Sequence, residues 1–587
     1  MRFAHIIALL FALTANAQYY LRGEVRDEKN QPLSNVRIIL LSNHYAYSSG
    51  SFGSFGFTTK SLNDSLQLLL EGYETLTVNV RSDQWQSITM KVLTSNANRN
   101  KIKLISVTKD LTRTSRVQWA INEETYFQLV ENEYVDASRF PNTGFALNVN
   151  KASYSNVRRF INMQSQVPPD AVRSEELLNY FNLHYREPEN GNIFKIESQL
   201  SSCPWDMEKQ LLYVNVNAKK IDFDKVPSGN FVFLIDVSGS MDIPNRLPLL
   251  KAAFQMLVRN LRDKDTISIV TYGGSVGIKL QPTSGAEKEK IIQCIEELTA
   301  NGDTPGEAAI MTAYKLAERT FIKGGSNRVI LATDGDFNVG ISDEKALDDL
   351  ITKERQTGVY LTCLGVGMGN FKDSKLETLA KRGNGNFAYL DDLQEAEKVL
   401  VKELTQTFYA VADDVFMNIE FNPKYVKEYR LVGFDNRRDA INNLTLDLEG
   451  GEIGSGNSML AIFEIVPASD NLFKAADQPG KDGIAAVSLH YGVCNDTLHK
   501  EIKVSCPANF TEFKNLDKEL QFATAVTMFA LKLKHSKYIK EADWLDILNI
   551  AQSSYDPASY LQTEFIGLVT KAQKIYSSKK KRKKNND

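Results

Sequence analysis

Three short stretches of this 587-residue sequence carry oxygen-bearing side chains at spacings that could hold a hard metal ion. The apolar run 231–235 leads directly into Asp236-Val237-Ser238-Gly239-Ser240. A carboxylate and two hydroxyls therefore fall at alternate positions just past a buried strand, and Gly239 lets the backbone turn so that both hydroxyls converge. After the run 329–332, Thr333-Asp334-Gly335 brings a second carboxylate to the same edge. The loop Asn301-Gly302-Asp303-Thr304-Pro305-Gly306 precedes a helix and supplies a third hydroxyl, Thr304. Two carboxylates and three hydroxyls, with no His or Cys nearby, suit Mg²⁺, or Mn²⁺ or Ca²⁺, and not zinc. Asp236 and Asp334 balance the charge of such an ion. Neutral hydroxyls leave it electrophilic on its open side, where an Asp or Glu carboxylate is the natural ligand.

The elements that must position these groups are legible as a doubly wound α/β domain. Residues 231–235, 267–270, 329–332 and 359–364 are continuous apolar runs, as expected of parallel strands buried on both faces. Cys363 lies in the last of them and reads as a small buried hydrophobe. Between the runs, Leu247, Leu250, Phe254, Leu257 and Leu261 keep helical spacing, as do Ile310, Ala313, Ala317 and Phe321. The segment 276–280, just after Gly273-Gly274, is expected as an antiparallel edge strand. In such a fold, ligands sit beyond the carboxyl ends of the strands, where all three loops fall.

Asp-x-Ser-x-Ser, a distant Thr and Thr-Asp-Gly in this order resemble the metal-ion-dependent adhesion site of the von Willebrand factor type A (VWA) domain. The resemblance covers residues 229–408 and implies Asp236, Ser238, Ser240, Thr304 and Asp334 around one ion, some of them through water. The flanks are similar to the companion regions of bacterial secreted VWA proteins. Ala152-Ser153-Tyr154, Asn156-Val157-Arg158-Arg159-Phe160, Pro168-Pro169-Asp170 and Cys203-Pro204-Trp205 carry that similarity over 126–228. Residues 448–465 and the final helices carry it over 409–576. The chain departs from that family at Asn148 and Asn150, usually Asp, and at Asn457, commonly His.

Residues 126–190 read as helical, with Tyr154, Val157, Phe160 and Ile161 on one face. The segments 194–200 and 211–216 alternate like exposed strands. β-character returns at 415–421, 458–465, 485–490 and 501–504, and residues 516–576 read as helical. Neither strand set alone has enough strands to close two sheets. Residues 192–218 and 410–510 are therefore expected to fold together as one β-sandwich with the VWA domain inserted between them.

At the amino end, Arg2, an apolar run at 6–13 and Ala15-Asn16-Ala17 read as a signal peptide over 1–17. The expected location is exported: periplasm, outer envelope surface or secreted. Residues 18–95 alternate short strands and turns. Gly23-x-Val25-x-Asp27, Pro32-Leu33, Phe55-x-Phe57 and Gly72-Tyr73 resemble the carboxypeptidase regulatory-like (transthyretin-like) β-sandwich, which implies a docking module without chemistry. Residues 96–125 read as a linker and 577–587 as a basic, disordered tail, with weak contact to an anionic surface as the alternative. The whole chain is thus expected to be multidomain: a central α/β doubly wound (Rossmann-like) domain, flanked by β-sandwich domains and a C-terminal helical segment.

A formal net charge of −3 gives no general field for nucleic acid, and no stretch is apolar enough to span a membrane. Five cysteines are too few and too scattered for a disulfide scaffold; a Cys494–Cys506 pair is left open. There is no Gly-x-Ser-x-Gly elbow, no Walker A loop and no His-Glu-x-x-His. The reading is non-enzymatic, with no catalytic residues: an exported metal-dependent protein-binding protein. Its alternatives are a metal-independent envelope scaffold and, less favoured, a hydrolase.

Overall fold

The computed structural model describes residues 19–91 except 29, 43–45, 51–52, 60 and 71–72. It also describes 124–584 except 125, 127–128, 148, 274–275, 303–305, 336–350, 368–372, 435–450, 469–482, 494–498 and 540. The expected signal peptide, nearly all of the linker, Asn148, Cys494 and Thr304 lie outside the described residues. Two compact units are present, divided after Asp110.

The first unit contains β1 (Tyr19–Asp27), β2 (Arg37–Leu40), β3 (Ala46–Ser48), β4 (Ser54–Thr59), β5 (Asn63–Leu69), β6 (Leu76–Arg81) and β7 (Trp85–Met90). They form two sheets, ordered β4-β1-β7 and β3-β2-β5-β6. Alternate residues of each, such as Leu21, Val25 and Phe57 in one and Ile38, Leu66 and Leu68 in the other, meet in a single apolar cluster.

The second unit opens with β8 (Val135–Asp136), β9 (Asn142–Ala146), α1 (Ala152–Asn162), α2 (Ser174–Asn179), β10 (Phe194–Ser202) and β11 (Gln210–Ala218). The α/β region follows: β12 (Gly229–Asp236), α3 (Leu247–Asn260), β13 (Thr266–Tyr272), β14 (Gly277–Ser284), α4 (Lys288–Glu296) and α5 (Gly306–Arg319). It continues through β15 (Ser326–Thr333), β16 (Tyr360–Val366), α6 (Asp373–Arg382), β17 (Phe387–Leu390), α7 (Leu393–Glu397) and α8 (Leu404–Phe408). Its sheet runs β14-β13-β12-β15-β16-β17, parallel except for β14, which pairs antiparallel with β13 as expected. Side chains of β12 alternate between two cores. Phe231, Phe233 and Ile235 pack with α3 and α4 on one face, and Val232 and Leu234 with α5 and α6 on the other. Cys363 is fully buried in the second of these cores. Phe321 corrects the sequence reading: it lies past the end of α5 and is 43% exposed, because the buried stripe stops at Ala317.

The remaining strands are β18 (Ala410–Phe421), β19 (Val426–Leu431), β20 (Gly451–Gly454), β21 (Ser458–Pro467), β22 (Ala485–Val493), β23 (His499–Cys506) and β24 (Phe510–Thr511). Strands from both sides of the α/β region share one sheet, β24-β10-β11-β21-β19-β8, in which β11 and β21 pair antiparallel from Gln210 opposite Ile465 to Asn217 opposite Ser458. A second sheet runs β20-β18-β22-β23, with β9 also on β18. The two sheets share an apolar cluster to which Leu212, Val214 and Phe463 contribute from the first and Met417, Ile419 and Leu489 from the second.

The chain ends in α9 (Lys518–Leu533), α10 (Trp544–Ser554) and α11 (Tyr560–Lys584). These helices cover the outer face of the first sheet, where Leu211, Tyr213, Leu460 and Ile462 meet Phe522, Val526 and Phe565. β11 is accordingly buried at every position, where the sequence suggested exposed strands. Two of its polar residues meet the 182–186 segment. Asn215 donates to the His184 carbonyl at 2.6 Å, and Asn217 Oδ1 accepts from the Arg186 N–H at 3.2 Å. The last helix also continues through Lys584, so most of the basic tail is helical backbone, consistent with a run of good helix formers without Gly or Pro. Among the described residues no helix is long and apolar enough to cross a membrane.

Candidate metal centre

β12 and β15 lie side by side and parallel, with Ile235 opposite Ala332. The chain leaves β12 toward β13 on one side, and β15 lies on the other, so their carboxyl ends border the crevice where strand order reverses. Asp236 ends β12 and is fully buried. Its Oδ1 accepts the Ser238 N–H at 2.9 Å and its Oδ2 accepts the Thr333 hydroxyl at 2.8 Å. Burial pushes the Asp236 carboxyl above its ordinary value. The Ser238 and Thr333 hydrogen bonds oppose that rise, and the neighbouring Asp334 charge adds to it.

The Ser238 and Ser240 hydroxyls stand 3.1 Å apart, Ser238 buried and Ser240 exposed at the rim. Asp334 is 2% exposed and is ion-paired with the guanidinium of Arg246, whose Nη1 also donates to the Ser240 carbonyl at 2.8 Å. Backbone bonds hold the loop in place. Val237 N–H donates to the Tyr272 carbonyl at 2.7 Å, Asn301 N–H to the Val237 carbonyl at 2.6 Å, and Gly239 N–H to the Gly302 carbonyl at 3.0 Å. The last two bring the described flank of the Thr304 loop against the Asp236–Ser240 turn. Gly273, at φ +135°, lets the end of β13 pass close to the same turn, since a Cβ there would lie 2.5 Å from the Val237 carbonyl carbon.

Four of the five expected residues, Asp236, Ser238, Ser240 and Asp334, are therefore gathered at two adjacent strand ends; Thr304 is outside the described residues. The donors are all hard oxygens, and Arg246 offsets only one of the two neighbouring buried carboxylates, so the group fits a divalent ion of the Mg²⁺ class. Sequence reasoning passed over Thr333 as a second anchor of Asp236 and missed Arg246 altogether. One signal for Arg246 was available: it precedes α3, and an arginine at a helix start opposes the helix dipole unless an acid is at hand. A second cluster among the described residues, His184, Asp517 and Glu519, has its carboxylates countered already, by Arg186 at 3.7 Å and 3.5 Å.

Comparison with known proteins matches residues 230–403 to the von Willebrand factor type A domain. Residues 120–213 match a von Willebrand factor model, and residues 406–575 match the C-terminal model of the uncharacterized protein YfbK. The uncharacterized protein YfbK of Escherichia coli K12 is 36% identical over 472 residues, 77% of this chain and 81% of its own length. The magnesium-chelatase 67 kDa subunit of Chlorobaculum parvum is 23% identical over 248 residues, 37% of this chain and 39% of its own. A solved structure, the von Willebrand factor type A protein from Catenulispora acidiphila, covers 62% of this chain and 88% of its own at 15% identity and TM-score 0.36.

Proposed function

This chain belongs to the family of the E. coli VWA protein YfbK, and on that premise we propose that it is a non-enzymatic binding protein whose α/β domain grips an acidic protein partner through a divalent ion. VWA domains generally mediate protein interaction and often bind a divalent metal. The observation that carries the reading is the meeting of Asp236 and Asp334, with the Ser238 and Ser240 hydroxyls, at the crevice between β12 and β15. The ion, when bound, supplies an electrophilic position for a carboxylate oxygen. Asp236, Ser238, Ser240, Thr304 and Asp334 are the residues proposed to hold it.

The chain's own groups do the rest. Thr333 and the Ser238 N–H fix the Asp236 carboxylate in one orientation, and the backbone bonds among Val237, Gly239, Asn301 and Gly302 fix the loop. A rigid oxygen set of this kind costs little ordering when a partner binds. The same reading takes the two sheets around the α/β region as a β-sandwich scaffold. It takes residues 18–95 as a transthyretin-like docking module, and residues 1–17 as a signal for export. The domain limits follow as 126–228, 229–408 and 409–576.

Affinity capture of native partners in Mg²⁺, followed by EDTA elution and mass spectrometry, tests this function. The expected result is an EDTA-released partner that the Asp236→Ala chain does not retain. Equal capture in EDTA and by the variant would make the domain a metal-independent scaffold instead.

A further inference from the structure

We propose that Arg246 is a tethered cation that competes with the divalent ion for Asp334, so that metal loading must displace it. This rests on the metal reading above and concerns how that site is regulated. Arg246 occupies the N-cap position of α3, where its own charge opposes the positive end of the helix dipole. Its side chain is only 9% exposed. Nη1 reaches both the Asp334 carboxylate and the Ser240 carbonyl, which lie on opposite sides of the crevice. A guanidinium placed this way neutralises one of the two buried carboxylates and links the two loops that carry the proposed metal ligands.

The position is built into the backbone. At the end of β16 the chain passes through Gly367, at φ +83°. A Cβ on Gly367 would lie 2.4 Å from Arg246 Nε and 2.9 Å from its Cγ, so only glycine leaves room for the arginine stem. The Tyr389 hydroxyl donates to the Gly367 carbonyl and holds that turn in place.

Charge balance sets the two cations against each other. Among the described residues of the site, Asp236, Asp334 and Arg246 sum to −1; a dication added with Arg246 still seated would bring that sum to +1. With Arg246 displaced, the two carboxylates and the dication balance. Metal entry and the Arg246–Asp334 pair therefore exclude each other, and breaking that pair weakens the apparent metal affinity of the native chain.

The test is calorimetric titration of Mn²⁺ alone into the full chain, its Arg246→Gln and Arg246→Lys variants, and Asp236→Ala, with melting curves in EDTA. Arg246→Gln should bind Mn²⁺ at least about tenfold more tightly than the native chain. In EDTA it should melt at a lower temperature, with the loss recovered on adding metal. Arg246→Lys, which keeps a charge but loses the fork, should fall between the two and serves as the measure if the glutamine variant does not fold. Equal affinity in native and variant chains, or weaker binding in Arg246→Gln, overturns the inference while leaving the metal site standing. Absence of Mn²⁺ binding in all of them overturns the metal reading itself, and this inference with it.

Discussion

Replacing Arg158 with Met should cost the second unit about 3–5 kcal/mol at pH 8, because it breaks a buried ion cluster and leaves carboxylates behind. Arg158, on α1, is 2% exposed. Its Nε donates to Asp391 at 2.8 Å, its Nη2 to Glu395 at 2.7 Å, and its Nη1 to Glu564 at 3.2 Å and to the Tyr180 hydroxyl at 3.3 Å. One guanidinium thus ties the end of β17, α7 and α11 together. Burial pushes the Asp391 and Glu564 carboxyls above the usual range even with Arg158 opposing that rise. Methionine keeps the length and removes the charge.

In the Met variant the folded-state pKa values of these carboxyls rise further. A carboxyl whose folded pKa is raised costs stability above that pKa, and the cost is relieved as pH falls through it. The deficit should therefore shrink between pH 8 and pH 5. Urea unfolding followed by tryptophan fluorescence reads it, since Trp205 and Trp544 lie in the helix-covered core. With a slope of about 3–4 kcal/mol/M, the midpoint should fall by about 1 M. Adding Asp391→Asn and Glu395→Gln should restore much of the loss. A variant within 1 kcal/mol of the native chain at pH 8, or a deficit that does not change with pH, would refute this account of the cluster.

Three further outcomes follow from the same structure. Gly273→Ala should destabilise the chain by about 1–3 kcal/mol in the same urea assay, because φ +135° and the 2.5 Å approach to Val237 both exclude a Cβ. The Tyr213 hydroxyl lies 2.7 Å from the Thr524 hydroxyl, which itself donates to the Leu520 carbonyl. Tyr213→Phe should therefore cost only about 1 kcal/mol, since Thr524 keeps a partner; a loss several times larger would contradict that bookkeeping. Burial raises Glu464, but Arg430, Tyr134 and Trp205 outweigh it and hold the carboxyl below its ordinary value. Its contribution is present above the unfolded pKa of about 4.3 and is lost as pH falls through the lower folded value. Glu464→Gln should thus be less stable than the native chain at pH 7, with the gap closing below pH 4 in acid titrations.

The parallel strands could be read from sequence because burial on both faces favours near-continuous apolar runs, as in 231–235 and, apart from the buried Thr362, in 359–364. β17 was passed over because four residues, Phe387–Leu390, give too short a signal, although Asn150 Oδ1 accepts its first N–H at 2.9 Å and ties it to the preceding region. β11 was misread for a different reason. Asn215 and Asn217 look like a solvent face, yet both are buried against a separate loop, whose His184 carbonyl accepts from Asn215 and whose Arg186 N–H donates to Asn217 Oδ1. In the site, the order of Asp236, Ser238, Ser240 and Asp334 pointed to adjacent strand ends. The Arg246–Asp334 pair spans 88 positions, and no local pattern encodes it.

Titration of Mn²⁺ or Mg²⁺ into the full chain, beside Asp236→Ala, bears most directly on the proposed metal centre. One saturable site is expected in the native chain, none in the variant, and a melting temperature that rises with metal in the native chain only. At a hundredfold excess over the dissociation constant, that stabilisation should be about 2.7 kcal/mol. A native chain that takes up no ion, or a variant that binds it equally well, would contradict the proposed metal centre.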